Sequence, residues 1–144
     1  AESKWCMFWK TVPSQAVGGV GPLGRTGHTL VSHGGRGWLF GGACDRGSSK
    51  LLHDLWAFSY VGRSWAEVRL APGTQPSPRW GHTAVVVGGR MVVFGGFDGS
   101  QSLNDMFEFD FATGRFQPRY GCGRLPPLVA GHAAVAHGGA LYVF

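Results

Sequence analysis

Three histidines at a regular spacing are the residues of this chain whose type could support metal chemistry. His28, His82 and His132 stand 54 and 50 residues apart, and each directly follows a glycine. Imidazole is the commonest metal ligand in proteins. Because the three occupy one position of a recurring pattern, we expect them on successive structural units, each bonded to the backbone of its own unit. The spacing therefore favours a structural role, and no metal site is predicted.

The sequence lacks the other patterns that carry chemistry. It contains no nucleophile elbow, no phosphate-binding glycine loop and no close pair of carboxylates. Cys6, Cys44 and Cys122 are widely spaced and form no Cys-x-x-Cys, which favours reduced thiols in a cytoplasmic protein over a disulfide framework or a zinc site. No catalytic residue and no cofactor are therefore predicted.

Composition narrows the fold class and the kinds of partner. Glycine supplies 25 of the 144 residues, hydrophobic residues make up 44% and charged residues only 15%. Abundant aromatic residues argue against disorder, and tight glycine turns favour many short strands. No apolar run is long enough to span a membrane, so no membrane partner is expected. The net charge is +5, but the basic residues are dispersed, so no nucleic-acid partner is expected either.

A repeat of about fifty residues organises the chain. A glycine pair follows His28 and His82 at the same distance of thirteen residues, and an aromatic residue stands eleven residues after Asp54 and after Asp105. The repeated positions are predicted to be structural: Gly41, Gly42, Gly95, Gly96, His28, His82, His132, Trp65 and Phe116.

Each repeat unit predicts four strands. Apolar runs at residues 29–31, 83–87 and 133–136 predict a first strand buried on both faces, followed by a glycine turn. A second strand closes at the glycine pair, which lets backbone approach closely, and the aromatic residue opens the fourth strand and packs across the unit. Four-stranded units of this period are typical of propeller blades. The fold prediction is all-β, a partial propeller of about three antiparallel blades.

Residues 78–83, 92–99 and 103–106 together resemble the full signature of the kelch repeat. The first unit departs slightly, with Gly24 before Arg25 where the second has Pro78 before Arg79. The third unit has Val129 in place of the arginine, so a contact that needs the arginine is not expected there. A WD40 propeller is the weaker interpretation, because its period is shorter and the sequence contains no Trp-Asp.

The pieces of the repeat set the expected domain organisation. Residues 1–144 form one kelch-repeat region, with the end of a preceding blade at 5–12, blades at 27–70 and 81–118, and the first half of another at 131–144. Such a set does not close a ring. We expect a fragment of a larger propeller, with self-association of a complete chain as the alternative.

Residues 104–109, 111–114 and 123–126 are similar to the leucine-zipper-like transcriptional regulator proteins, a BTB-kelch group. The resemblance implies that, as in that group, the propeller recruits small Ras-type GTPases to a cullin-based ubiquitin ligase. The predicted function is therefore a protein-interaction module, in its sharper form the substrate-recognition part of such an adaptor. No BTB-like segment is present in this sequence.

In kelch propellers the loop between strands two and three and the loop between blades share one face, which predicts where a partner binds. Here these loops are residues 43–53, 97–104, 71–80 and 119–130. The candidate partner-binding residues are Arg46, Lys50, Gln75, Trp80, Phe97, Asp98, Gln101 and Tyr120. For Trp80 and Phe97, packing between blades is the alternative role.

An enzyme is the competing function class. Galactose-oxidase-like propellers resemble this fold and bind copper through two His and two Tyr, and plant specifier proteins bind iron through spaced Glu, Asp and His. Tyr60, Tyr120 and Tyr142 are not brought together by the repeat, and no Glu begins an iron-binding run. A copper or iron enzyme therefore requires that most of its ligands lie outside this sequence.

Overall fold

A computed structural model of the chain describes residues 21–44, 50–121, 123–124 and 126–144, and the backbone of residues 15–16. Within these ranges the fold is all-β, as predicted. The strands are β1 (Gln15–Ala16), β2 (Thr29–His33), β3 (Arg36–Cys44), β4 (Lys50–Ser59), β5 (Ser64–Glu67), β6 (Thr83–Val87), β7 (Arg90–Phe97), β8 (Ser102–Asp110), β9 (Arg115–Arg119), β10 (Ala134–His137) and β11 (Ala140–Val143). No helix in the described ranges is long and apolar enough to cross a membrane.

The strands form three sheets in the order of the repeats. Strands β2 to β5 make an antiparallel sheet, with β1 added in parallel beside β5, and β6 to β9 make a second antiparallel sheet. Strands β10 and β11 form an antiparallel pair. The preceding blade predicted at residues 5–12 lies outside the described residues.

Each sheet has two distinct ends, which the strand register defines. Short turns join β2 to β3, β4 to β5, β6 to β7, β8 to β9 and β10 to β11 at one end, called here the turn end. The other end, called the loop end, carries the segments at residues 21–28, 79–82, 98–101 and 120–130. Lys50, Trp80, Phe97, Asp98, Gln101 and Tyr120 therefore share the loop end, while Gln75 lies in the segment that leads to it.

The glycine pairs lie inside their strands and do not close them as predicted. Strand β3 runs through Gly41 and Gly42, with a shift of register between Phe40 and Gly42. A Cβ atom on Gly42 would lie 2.8 Å from the carbonyl oxygen of Thr26, at a φ of +100°. The predicted close approach of backbone at the glycine pair is thus confirmed. The pair forms a β-bulge within β3, and beyond the bulge the strand continues to pair with β4.

The first strand of each unit is less buried than predicted. In β2 the side chains alternate, with Leu30 exposed and Val31 half-buried, and in β10 Val135 is exposed. Among the described strands, only β3 and β7, the second strands of the first two sheets, are almost continuously buried. The prediction was wrong for β2 and β10, because an apolar run alone does not reveal which face of a strand has a neighbour.

The hydrophobic core lies mainly between the first and second sheets. Its buried members are Trp38, Phe40, Leu55, Ala57, Met91, Val93, Phe107, Phe109 and Phe116. Phe116 stacks at a tilt against Phe40 of the other sheet, with ring centroids 5.3 Å apart, and against Phe109 at 4.9 Å. The aromatic residue that opens the fourth strand therefore sets the contact with the preceding blade. Trp65, its counterpart in the first sheet, is half-buried and packs on Phe58 of its own sheet at 4.9 Å.

The segment that leads into each sheet runs along the outermost strand of that sheet. Gln15 and Ala16 pair with Ser64 and Trp65 of β5. In the second sheet the backbone N–H of Ala71 donates to the carbonyl oxygen of Gly114 at 3.0 Å, next to β9. Each connecting segment is thus held by the sheet that follows it before the chain reaches the loop end.

Candidate functional site

A buried arginine ties the loop end of the first sheet to the second. The side chain of Arg79 is 0% exposed. Its guanidinium donates to both carboxylate oxygens of Asp105, at 2.5 and 2.9 Å, and to the carbonyl oxygen of Gly95 at 3.0 Å. Two parallel bonds of this kind fix both partners in one geometry. Sequence reasoning aligned these residues within the repeat but did not pair them.

The backbone of Arg79 belongs to the preceding sheet. Its N–H donates to the carbonyl oxygen of Leu52 at 3.1 Å, and its own carbonyl oxygen accepts from the N–H of Gly42 at 2.8 Å. The side chain thus holds β7 and β8 while the main chain holds β3 and β4. Arg79 acts as a clamp between the two sheets.

The first repeat contains the same arginine–aspartate pair within its own unit. Arg25 donates to both carboxylate oxygens of Asp54 and to the carbonyl oxygen of Gly41. Burial by itself would raise the pKa of Asp54, but hydrogen bonds from Arg25 and Trp56 and the charge of Arg25 outweigh it and hold that pKa below its usual value. The recurrence of Arg and Asp in the same two units was the signal that could have revealed the pairing.

The third repeat keeps the backbone half of the clamp and lacks its cation. The N–H of Val129 donates to the carbonyl oxygen of Leu103, and the N–H of Gly96 donates to the carbonyl oxygen of Val129. Val129 offers no side-chain donor. In this unit the described residues therefore show only the main-chain bonds of the clamp.

Two of the repeated histidines form hydrogen bonds to the preceding sheet rather than within their own sheet. His82 Nε2 is hydrogen-bonded to the Thr29 hydroxyl at 2.9 Å, and His132 Nε2 to the Thr83 hydroxyl at 2.8 Å. Each threonine lies in the sheet before its histidine, so the expected bond to the same unit's backbone is corrected. His28 is exposed at the loop end.

Burial makes His82 a neutral structural side chain. It lowers the pKa of His82 to about 3, and the positive charge of Arg79 acts in the same direction. Burial also lowers the pKa of His132. Within the described ranges no group of three or more His, Cys, Asp or Glu side chains is arranged to hold a metal ion.

Trp80 is the most prominent side chain that the clamp places at the loop end. Its backbone pairs with Phe97 through bonds of 3.2 and 2.9 Å, and its ring meets the Phe97 ring edge-on with centroids 6.1 Å apart. A Cβ atom on Gly27 would lie 3.1 Å from the Trp80 side chain, so the indole also packs on the preceding unit. Trp80 as a whole nevertheless remains 42% exposed. Both roles considered for Trp80, packing between blades and presenting a surface, are compatible with this position.

The other predicted loop residues divide into exposed and structural side chains. Lys50, Gln101 and Tyr120 are exposed, and Tyr120 is 86% accessible. Gln75 is half-buried, and Arg46 lies outside the described residues.

Asp98 shapes the turn between β7 and β8. Its Oδ1 accepts from the N–H groups of Ser100 and Gln101, at 2.8 and 2.9 Å, and from the Ser100 hydroxyl. Hydrogen bonds from the Gln101 and Ser100 backbone lower the pKa of Asp98. This carboxylate oxygen is therefore occupied by the turn itself.

A groove of about 700 Å³ adjoins the loop end beside the second sheet. It lies between β8 and the β10–β11 pair, and its walls include Phe94, Phe107, Leu141 and Tyr120. The walls are mostly apolar, and the polar groups of Asn104 and Glu108 line them as well. These side chains suit contact with another chain segment or with an apolar partner better than they suit catalysis.

A protein-family model described as the KLHDC2/KLHL20/DRC7 Kelch-repeats domain matches residues 5–144. The chain belongs to the kelch-repeat family. With its successive antiparallel sheets, the structure is a partial kelch propeller. Membership of this family supports a protein-interaction module, and no observation favours the copper or iron enzyme.

Three curated proteins are similar to the chain over two thirds or more of its length. It is 32% identical over 127 residues to "Leucine-zipper-like transcriptional regulator 1 homolog" of Drosophila melanogaster, covering 83% of this chain and 13% of that protein. It is 29% identical over 159 residues to "Host cell factor 2" of Homo sapiens, covering 99% and 20%. It is 36% identical over 99 residues to "Rab9 effector protein with kelch motifs" of Gallus gallus, covering 67% and 26%. The kelch region thus spans about a quarter or less of these relatives.

Proposed function

We propose that this kelch region binds a partner protein through the loop end of its sheets. The observation that carries the proposal is Trp80, which is packed against Phe97 and Gly27 and still 42% exposed. Tryptophan is among the residue types that most often dominate binding energy at interfaces. A ring already held in place loses little conformational freedom when a partner covers it.

The clamp supports the proposal because it makes the surface rigid. Arg79 directly precedes Trp80 and is bonded to both neighbouring sheets through its main chain and its guanidinium. Binding residues commonly lie on loops that a rigid scaffold positions. The loop end is therefore organised before a partner arrives.

The remaining loop-end residues form the rest of the proposed surface. Tyr120 offers a second exposed aromatic, and Lys50 and Gln101 offer polar contacts at its edge. Arg46 is proposed to join them. Interfaces typically combine central aromatic and arginine anchors with a polar rim.

We further propose that the partner is a small Ras-type GTPase and that the region is the substrate-recognition part of a cullin-based ubiquitin ligase adaptor. Support comes from the similarity to the leucine-zipper-like transcriptional regulator 1 homolog, and a relative named as a Rab9 effector points in the same direction. In this role the region is a portion of a larger propeller, and it works in the cytoplasm.

Isothermal titration calorimetry with purified Ras-type GTPases tests both levels of the proposal. Trp80→Ala should weaken binding about tenfold or more, as loss of a central aromatic anchor does. Tyr142→Ala removes an exposed aromatic from β11 and should leave the affinity unchanged. Absence of binding to any Ras-type GTPase would reject the finer proposal. A partner that binds the W80A variant as tightly as the unsubstituted chain would reject the loop end as the binding surface.

A further inference from the structure

The turn ends of the first and second sheets are built alike but differ in charge. In the first sheet, Arg36 pairs across the strands with Ser59, which pairs with Ser64. In the second sheet, Arg90 pairs with Asp110, which pairs with Arg115. The repeat thus places Ser59 where its neighbour has the carboxylate of Asp110, and Ser64 where its neighbour has the cation Arg115.

Ser59 replaces Asp110 without loss of the turn. The Ser59 hydroxyl oxygen accepts from the N–H of Gly62 at 2.9 Å. Asp110 Oδ1 does the same for Ala112 and Thr113, at 2.9 and 3.0 Å. Both side chains close the following turn by accepting backbone hydrogen bonds. The substitution therefore removes a negative charge and preserves the local structure.

A second difference adds a positive charge to the first turn. Arg63 adopts a φ of +50°, whereas the second sheet has Gly114 at that place with a φ of +66°. A side chain in this left-handed region is strained, and glycine is the residue that adopts it freely. Strained residues that persist in a fold often serve a site. The first turn therefore carries an arginine at a position where glycine would fold more easily.

The surrounding carboxylates do not neutralise this arginine. At the second sheet, Glu108 pairs with Arg90 and Arg119, and Asp110 lies 3.6 Å from Arg90. Among the described residues, no carboxylate lies within salt-bridge distance of Arg36 or Arg63.

Apolar surface accompanies these two cations. Val61 is 95% exposed at the tip of the turn, and Tyr60 beside it is also exposed. A Cβ atom on Gly37 would lie 3.1 Å from the Tyr60 hydroxyl, so the tyrosine lies over the strand next to Arg36. Arg36, Tyr60, Val61 and Arg63 are called here the basic turn surface.

We propose that the basic turn surface is a second docking site, which binds an acidic peptide segment of a partner protein that also carries apolar side chains. Charge complementarity identifies the acidic partner, and tyrosine with arginine is the combination that protein interfaces favour. Two cations are fewer than the about four to eight Lys or Arg residues that cluster in segments binding anionic membranes. The surface lies at the opposite end of the sheets from Trp80, so it is distinct from the proposed loop-end site.

Fluorescence anisotropy of a labelled peptide that alternates glutamate with leucine and phenylalanine tests the proposal. Ser59→Asp and Arg63→Gly install the residues that the second sheet uses, so both variants should fold. Each should weaken peptide binding about threefold, the effect of one exposed charge pair, and together about tenfold. Arg124→Gln removes one exposed cation at the loop end and should change nothing, as should Trp80→Ala.

Each alternative outcome overturns the proposal. No binding by the unsubstituted chain, or binding that R63G and R124Q weaken equally, would mean that the turn is no specific site. Equal binding of a peptide with lysine in place of glutamate would exclude charge recognition. Binding to vesicles of anionic lipid that survives competition by the peptide would assign the surface to a membrane instead. Because W80A tests the loop end alone, failure of either site is distinguishable from failure of the other.

Discussion

Replacement of Arg79 by alanine should destabilise the chain far more than replacement of Arg90, although both arginines contact carboxylates. The Arg79 side chain is fully buried and bonds Asp105 at 2.5 Å. The Arg90 side chain is 46% exposed, and it lies 3.4 Å from Glu108 and 3.6 Å from Asp110. The two substitutions compare a desolvated clamp with a hydrated surface contact.

The burial of the two partners sets the expected magnitude. Removal of one member of a buried ion pair costs about 3–5 kcal/mol, and we expect about 3 kcal/mol for Arg79→Ala, because water can rehydrate the Asp105 side chain. That side chain is 41% exposed. A surface pair such as that of Arg90 contributes about 0–1 kcal/mol. Arg79→Lys keeps the charge but loses the paired bonds, so it should cost about 1–2 kcal/mol.

Urea and thermal denaturation followed by circular dichroism measure these differences. For a chain of this size, a loss of 3 kcal/mol should lower the thermal midpoint by about 10 °C. The R79K variant should unfold between R79A and the unsubstituted chain. If R79A lowers the free energy of unfolding no more than R90A does, the clamp adds no net stability and the reasoning is refuted.

Two further substitutions test close contacts at the loop end. Gly42→Ala should lower the free energy of unfolding by about 2 kcal/mol or more, because the new Cβ meets the Thr26 carbonyl. Gly34 has open space around it, so Gly34→Ala should lower that free energy by about 1 kcal/mol. Equal urea midpoints of the two variants would contradict this. Because the pKa of His82 is about 3 in the folded chain and 6.5 ordinarily, the unfolded chain binds the proton first as the pH falls. The free energy of unfolding should drop by about 1.4 kcal/mol per pH unit between about pH 6.5 and about pH 3, and this loss should be largely absent in His82→Gln. Parallel pH dependences of the two unfolding midpoints would refute the assignment to His82.

The local features of the fold were predictable because they depend on neighbours in the sequence. The apolar run at residues 83–87 coincides with β6, and the glycine turns mark the hairpins. The position of Phe116 in the repeat predicted an aromatic that packs across its own unit, and it contacts Phe109 there; its contact with Phe40 of the preceding sheet was not predicted. Short-range periodicity carries this information directly.

The loop-end geometry was less predictable because it depends on contacts between repeats. The prediction named Trp80, Phe97 and Tyr120 from their loop positions and their aromatic type. That Trp80 is both packed and exposed follows from where Gly27 and Phe97 meet it. Asp98 was named for a partner, but its Oδ1 closes its own turn. Loop position indicates accessibility, and only packing reveals whether a polar atom is already used.

The sequence by itself determined the repeat, the all-β class and the family, because spacing and glycine placement are properties of a single strand and its turn. Only the tertiary structure decided the partners of the repeated polar residues. His82 bonds Thr29 of the preceding sheet, and Arg79 bonds Asp105 of the second sheet while its main chain is bonded to the first. These contacts depend on how two sheets face one another, and that arrangement follows from burial of the core between them rather than from any spacing within one unit.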